Sequence, residues 1–213
     1  MAQTHSVLER IAYLQSRRDE VPNQQLAAEL AEGKNRAGIQ EIAAGLHHKD
    51  SHIQSDCLKV LYEIAYRDPR LVATYVEDFI GLLSSKNNRL VWGAMIALAT
   101  VAKLNSSVIG THLSEVLSAM KNGSVITNDN GVSVLAVVAS QESRFKKQII
   151  AFLIQHLKDC RAKDIPQHAE RMLEAIDSST GVTFAHALKA RLGELNPTQL
   201  KRVQKVIVAA TKD

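Results

Sequence analysis

Residues 76–104 read VEDFIGLLSSKNNRLVWGAMIALATVAKL, and the spacing of their apolar positions decides the fold. Val76, Phe79 and Leu83 fall at steps of three and four, the spacing of one helix face. After a polar break from Ser84 to Asn88, the residues Leu90, Ala94, Leu98 and Val101 repeat that spacing. The stretch reads as two amphipathic helices joined by a short turn.

The same skeleton returns every 37 residues or so between about residue 36 and residue 178. In the first helix of each pair, Ile39, Val76, Leu113 and Ile150 form one column. Ile42, Phe79, Val116 and Leu153 form the next, and Leu46, Leu83, Met120 and Leu157 a third. In the second helix, Ile53, Leu90 and Thr127 keep the period and Ile165 arrives one residue late. The same slip affects Cys57, Ala94, Gly131 and Ala169, then Leu61, Leu98, Leu135 and Leu173, then Ile64, Val101, Val138 and Ile176. Only Thr127 and Gly131 break the apolar character of the columns. Turn chemistry separates the helices at His48 to Ser51, at Ser84 to Asn88 and at Asn122 to Ser124, and Asp68–Pro69 and Asn105 to Ser107 separate the units. No stretch alternates in the manner of a strand, so the chain reads as all-α.

Helix pairs of this length and period resemble the HEAT and armadillo class of α-solenoid. The segment from Phe79 to Leu104, with Arg89, Leu90, Val91, Ala94, Ala97, Leu98 and Val101, is similar to a HEAT helix pair. The resemblance implies a right-handed α-α superhelix of about four helix pairs with capping helices at both ends. It departs from the HEAT pattern at two points: the turn Asp and the following Arg occur in different units, as Asp50 and Arg89, and the proline of the first helix is missing. The expected organisation is one domain, 1–213, with capping helices in 1–35, repeats in 36–178 and capping helices in 179–213. Val7, Ile11 and Leu14 supply an N-terminal apolar stripe, and Pro22 opens a second helix. Asn196 and Pro197 cap and open the last one.

Composition sets the remaining bounds. Only Cys57 and Cys160 are present, which excludes a disulfide framework. No apolar run reaches the roughly 20 residues of a membrane span, and Glu9 and Arg10 interrupt the first stripe against a leader reading. The expectation is a cytoplasmic protein without membrane association. The net charge is +4, and the positive excess is concentrated in residues 144–213. Arg144, Lys146, Lys147, Lys158, Arg161 and Lys163 form a candidate basic patch there, weighed against the ordinary solvation of outer helix faces.

Phosphate loops, nucleophile elbows and cysteine-nucleophile motifs are absent, and no catalytic residue or cofactor is assigned. The primary expectation is a non-catalytic scaffold that binds a protein or peptide through the concave face, which second helices line in HEAT-like arrays. The residues off the columns there are His52, Asp56, Lys59 and Tyr62, then Arg89 and Trp92, then Asn128, Asp129 and Asn130. The alternative is a nucleic-acid-binding HEAT-like protein related to alkylpurine DNA glycosylases, with Trp92, Asp56 or Asp129, and Arg89 as its groove residues. His47, His48, Asp50 and His52 are close enough in sequence to suggest a metal, yet no metal site is assigned. His112, His156, His168 and His186 read as scattered solvated side chains.

Overall fold

A computed structural model describes residues 6–212. Among them are eleven α-helices and no strand. The chain forms two compact units, Met1–Asn128 and Asp129–Asp213, and the boundary falls inside a helix.

In the first unit α1 (Val21–Glu32) precedes α2 (Arg36–Ala44), α3 (Ser51–Arg67), α4 (Val76–Leu82), α5 (Asn88–Thr111) and α6 (Leu113–Lys121), and α7 (Val125–Gln141) begins. The second unit holds the rest of α7, then α8 (Ser143–Asp159), α9 (Ile165–Met172), α10 (Ser178–Lys189) and α11 (Pro197–Ala210). The helix bounds follow the repeat predicted from the sequence. Every column position is buried except Leu173 and Ile176. Those two fail because α9 ends at Met172, Leu173–Ala175 forms a 3-10 turn, and Ile176 is extended. The two polar exceptions also pack: Gly131 is buried, and Thr127 is fully buried with its hydroxyl 3.1 Å from that of Ser124.

A polar column shares the 37-residue period. Asp50 accepts the His52 N–H at 2.8 Å, Asn87 that of Arg89 at 2.9 Å, and the Ser124 hydroxyl that of Thr127 at 3.3 Å. Each supplies an acceptor to an orphan donor at the start of a second helix. The fourth unit has no equivalent; α9 starts instead with Pro166 in its first turn. Capping boxes return at Asp177 with Thr180 for α10 and at Asn196 with Gln199 for α11.

One expectation is corrected. The N-terminal stripe is not a helix face: only Leu8–Arg10 forms a 3-10 turn, Ile11 is buried and Leu14 is exposed. Side chains of the following helices take the backbone donors that a helix would need. Leu8 N–H donates to Glu41 at 3.1 Å, Ala12 N–H to Asn23 at 2.9 Å, and Tyr13 N–H to Asp56 at 2.7 Å. An 18-residue window of α5 is apolar enough to cross a membrane by length and composition, and half of that window is buried inside the protein. The expected break at Asn105 does occur: its φ of −132° is non-helical, and α5 is two helical segments joined across a kink there. Leu90, Ala94, Leu98 and Val101 of α5 are buried in the protein core, and α5 packs against α3 and α4.

Two glycines test this packing in opposite directions. A Cβ at Gly181 would meet the Ala210 carbonyl oxygen at 2.1 Å, so Gly181→Ala is expected to force α10 and α11 apart and destabilise by about 1–3 kcal/mol. Gly81 is exposed in α4 with open space at its Cβ, so Gly81→Ala should stabilise by about 0.5–1 kcal/mol. Urea unfolding of the two variants checks both signs. A pH test concerns Asp177, whose carboxyl Lys146, Ser179 and Thr180 hold well below the usual carboxylate range. A folded value depressed in this way adds stability above the unfolded value, near 3.9, which is lost as the pH falls. Asp177→Asn keeps a capping acceptor, so its melting temperature should fall less than that of the wild type between pH 5 and pH 2 (about the titration range of such a group).

Candidate functional site

The candidate residues of α3 lie between its apolar columns, where an isolated helix pair would leave them in water. The N-terminal segment and the start of α1 cover them instead, and Asp56, Lys59 and Tyr62 are all less than a tenth exposed. Asp56 is the acceptor that fixes the Tyr13 backbone. Lys59 Nζ lies 2.8 Å from Glu20 and 2.8 Å from Glu63, and 4.9 Å from the Tyr62 ring centroid. Burial alone would push the Lys59 pKa down, yet the two carboxylates outweigh it and raise it. Burial pushes the Tyr62 hydroxyl up to about 12. These three side chains therefore act first as internal fastening.

His52 and Arg89 stay exposed at the starts of α3 and α5, held there by the Asp50 and Asn87 caps. His52 stacks on Tyr13 with ring centroids 4.8 Å apart and planes 10° apart. Arg89 lies 3.8 Å from Glu20, too loose to neutralise it fully. Between these helix starts and residues 12–20 lies a groove of about 850 Å³, to which Arg17, Arg18, Asp19, Glu20, His52, Asp56 and Arg89 contribute. Ser16 on its wall has φ 57°, a left-handed conformation that ends the N-terminal turn. A small recess beside it is lined by Leu58, Lys59, Tyr62, Arg89, Trp92 and Gly93. Trp92 is half-buried there. Six of the nine predicted binding residues thus share one face of the first unit.

The other three make local contacts of their own. Asn128 donates to the Gly123 and Ser124 carbonyls at 3.3 and 3.1 Å and helps close the turn before α7. Asp129 belongs to the second unit, where its carboxylate lies 2.8 Å from Nε2 of His168 and its carbonyl accepts from Arg171. Asn130 is half-buried next to it. The carboxylates of the glycosylase alternative, Asp56 and Asp129, are both engaged inside the protein.

Within the basic patch, Lys146 pairs with Asp177 at 2.5 Å and Arg161 with Asp164 at 2.6 Å. Arg144 lies 3.7 Å from Glu142 and over the Phe145 ring. Lys147, Lys158 and Lys163 are exposed. Three of these six side chains thus lie beside carboxylates and three are exposed.

The histidine run around residue 50 does not converge. His47 reaches Asp78 at 3.0 Å, His48 accepts the Asp50 N–H at 2.9 Å, and His52 turns to Asp50 at 3.1 Å. A different group does converge, and the reading of His156 and His168 as solvated is corrected. His168 is buried, its Nδ1 lies 3.1 Å from Nε2 of His156, and Cys160 is adjacent. Burial and the neighbouring imidazole lower the His156 pKa to about 4, and burial pushes the Cys160 thiol up to about 11. The available signal was the four-residue spacing of His156 and Cys160, with His168 one turn-and-helix later.

No protein family and no curated protein matches the sequence. Solved structures do match in fold. A designed armadillo repeat protein in complex with the peptide (KR)4 superposes with a TM-score of 0.73 at 15% identity, covering 98% of this chain and 100% of that one. A computationally designed armadillo repeat protein for modular peptide recognition gives 0.69 at 14% identity, over 95% and 98% of the two chains. An engineered protein gives 0.68 at 19% identity, over 96% and 94%. With its repeat, helix order and structural neighbours in agreement, the chain has the armadillo/HEAT-like α-solenoid fold.

Proposed function

We propose that the chain is a non-catalytic scaffold that binds a peptide or protein segment in the groove of the first unit. The observation that carries this reading is the grouping of exposed Arg89 and His52 along a groove of about 850 Å³ with half-buried Trp92 in the small recess beside it. A guanidinium beside an indole suits a segment that places an acidic side chain next to an apolar one, since arginine and tryptophan are the usual anchors of such contacts. Asp56 in the groove and Lys59 in the recess beside it are already fastened, so a ligand would lose little affinity to ordering them. Peptide binding by designed armadillo proteins of the same fold supports the partner class.

Trp92 is the single tryptophan, so its fluorescence reports occupancy of this face. Peptides selected from a displayed random library should change that emission on titration. Arg89→Ala should weaken them about tenfold or more, near 1.4 kcal/mol. Selected peptides that bind wild type and an Arg89→Ala, Trp92→Phe double variant with equal Kd, measured by calorimetry, would place the binding surface elsewhere.

A further inference from the structure

We propose that His156, Cys160 and His168 form a binding site for one zinc-class divalent cation in the second unit. His156 lies in the last turn of α8, Cys160 four residues on is the residue that caps its end with its N–H on the His156 carbonyl, and His168 approaches from α9. One ligand atom from each lies within 4.8 Å of the others. Nε2 of His156 and Nδ1 of His168 are 3.1 Å apart, whereas two nitrogens bound at about 2.0–2.1 Å to a tetrahedral ion stand roughly 3.3–3.4 Å apart. The imidazoles need to separate by only a few tenths of an ångström.

The surroundings prepare the donors. Nε2 of His168 faces the Asp129 carboxylate at 2.8 Å, which keeps the proton on that nitrogen and leaves the Nδ1 lone pair directed at His156. Arg191 donates to the Leu157 and Cys160 carbonyls at 2.8 and 2.6 Å and fixes the turn that presents Cys160. The thiol lies 3.8 Å from the Leu157 carbonyl and next to the Arg191 guanidinium. Binding balances as follows: the S–H bond breaks and its proton leaves to solvent, the proton of His156 moves from Nε2 to Nδ1, and sulfur and two nitrogens bond the ion. Two imidazoles and a thiolate favour zinc over magnesium or calcium, and three protein donors leave a fourth position for water. A hydrogen-bonded relay from Asp129 through His168 to His156 would need no thiol. The bound ion would tie α8 to α9, the short second helix that lacks the periodic cap.

Cobalt(II) is the probe for the full-length protein. The expected result is one ion per chain with a thiolate-to-cobalt charge-transfer band, lost in Cys160→Ser and shifted about 10–100-fold to weaker binding in Asp129→Asn. No band in the wild type, or the same band in Cys160→Ser, overturns the site. Should Cys160→Ser fail to fold, the wild type decides: zinc must slow alkylation of Cys160 by iodoacetamide, located by peptide mass mapping, and an unchanged rate overturns the proposal.

Discussion

Each helix pair has an apolar face that it cannot bury alone, and the neighbouring pair supplies the cover. In the first unit this constraint is concentrated where α3 packs against α5. Cys57, Leu58 and Leu61 of α3 and Ala94 and Leu98 of α5 are at most 1% exposed. Small residues set how closely the elements approach. A Cβ at Gly45 would stand 2.3 Å from the Cys57 sulfur, and one at Gly93 would stand 2.8 Å from Leu58. Such interiors tolerate little change in volume, so the column residues are committed to packing and leave recognition to the positions between them.

The N-terminal segment covers the first pair by polar means. Glu41, Asn23 and Asp56 accept main-chain donors of residues 8, 12 and 13, which holds Ile11 and Ala12 in the core without a regular helix. Paired backbone groups make an irregular cover stable because none of these buried donors is left without an acceptor. This cover also makes the groove. Residues 12–20 form one wall, and the starts of α3 and α5 form the other.

The second unit is built by a different balance. Its α9 is eight residues long and its apolar columns fail at Leu173 and Ile176, so a smaller face is buried than in α3. Polar links compensate: Asp129 with His168, His168 with His156, Arg191 with the end of α8, and Arg202 with Glu170. Of the basic residues concentrated here, Arg144, Lys146, Arg161, Arg191 and Arg202 pair with carboxylates, while Lys147, Lys158, Lys163, Lys201 and Lys205 are exposed.

The sequence by itself determined the helices, their period and their ends, because column spacing and caps are local properties carried by residues such as Leu61, Leu98, Asp50 and Asn87. It also separated packing residues from candidates for recognition, of which His52 and Arg89 are exposed and Trp92 is half-buried. What only the tertiary structure decided is the fate of residues whose neighbours are distant in the chain. Asp56 and Lys59 looked exposed because their partners, the Tyr13 backbone and Glu20, lie some 40 residues away. His156, Cys160 and His168 looked scattered because helix spacing relates only the first two, and the approach of α9 supplies the third. Periodicity records which side of a helix is apolar; it carries no record of which irregular segment or polar partner will be folded against the other side.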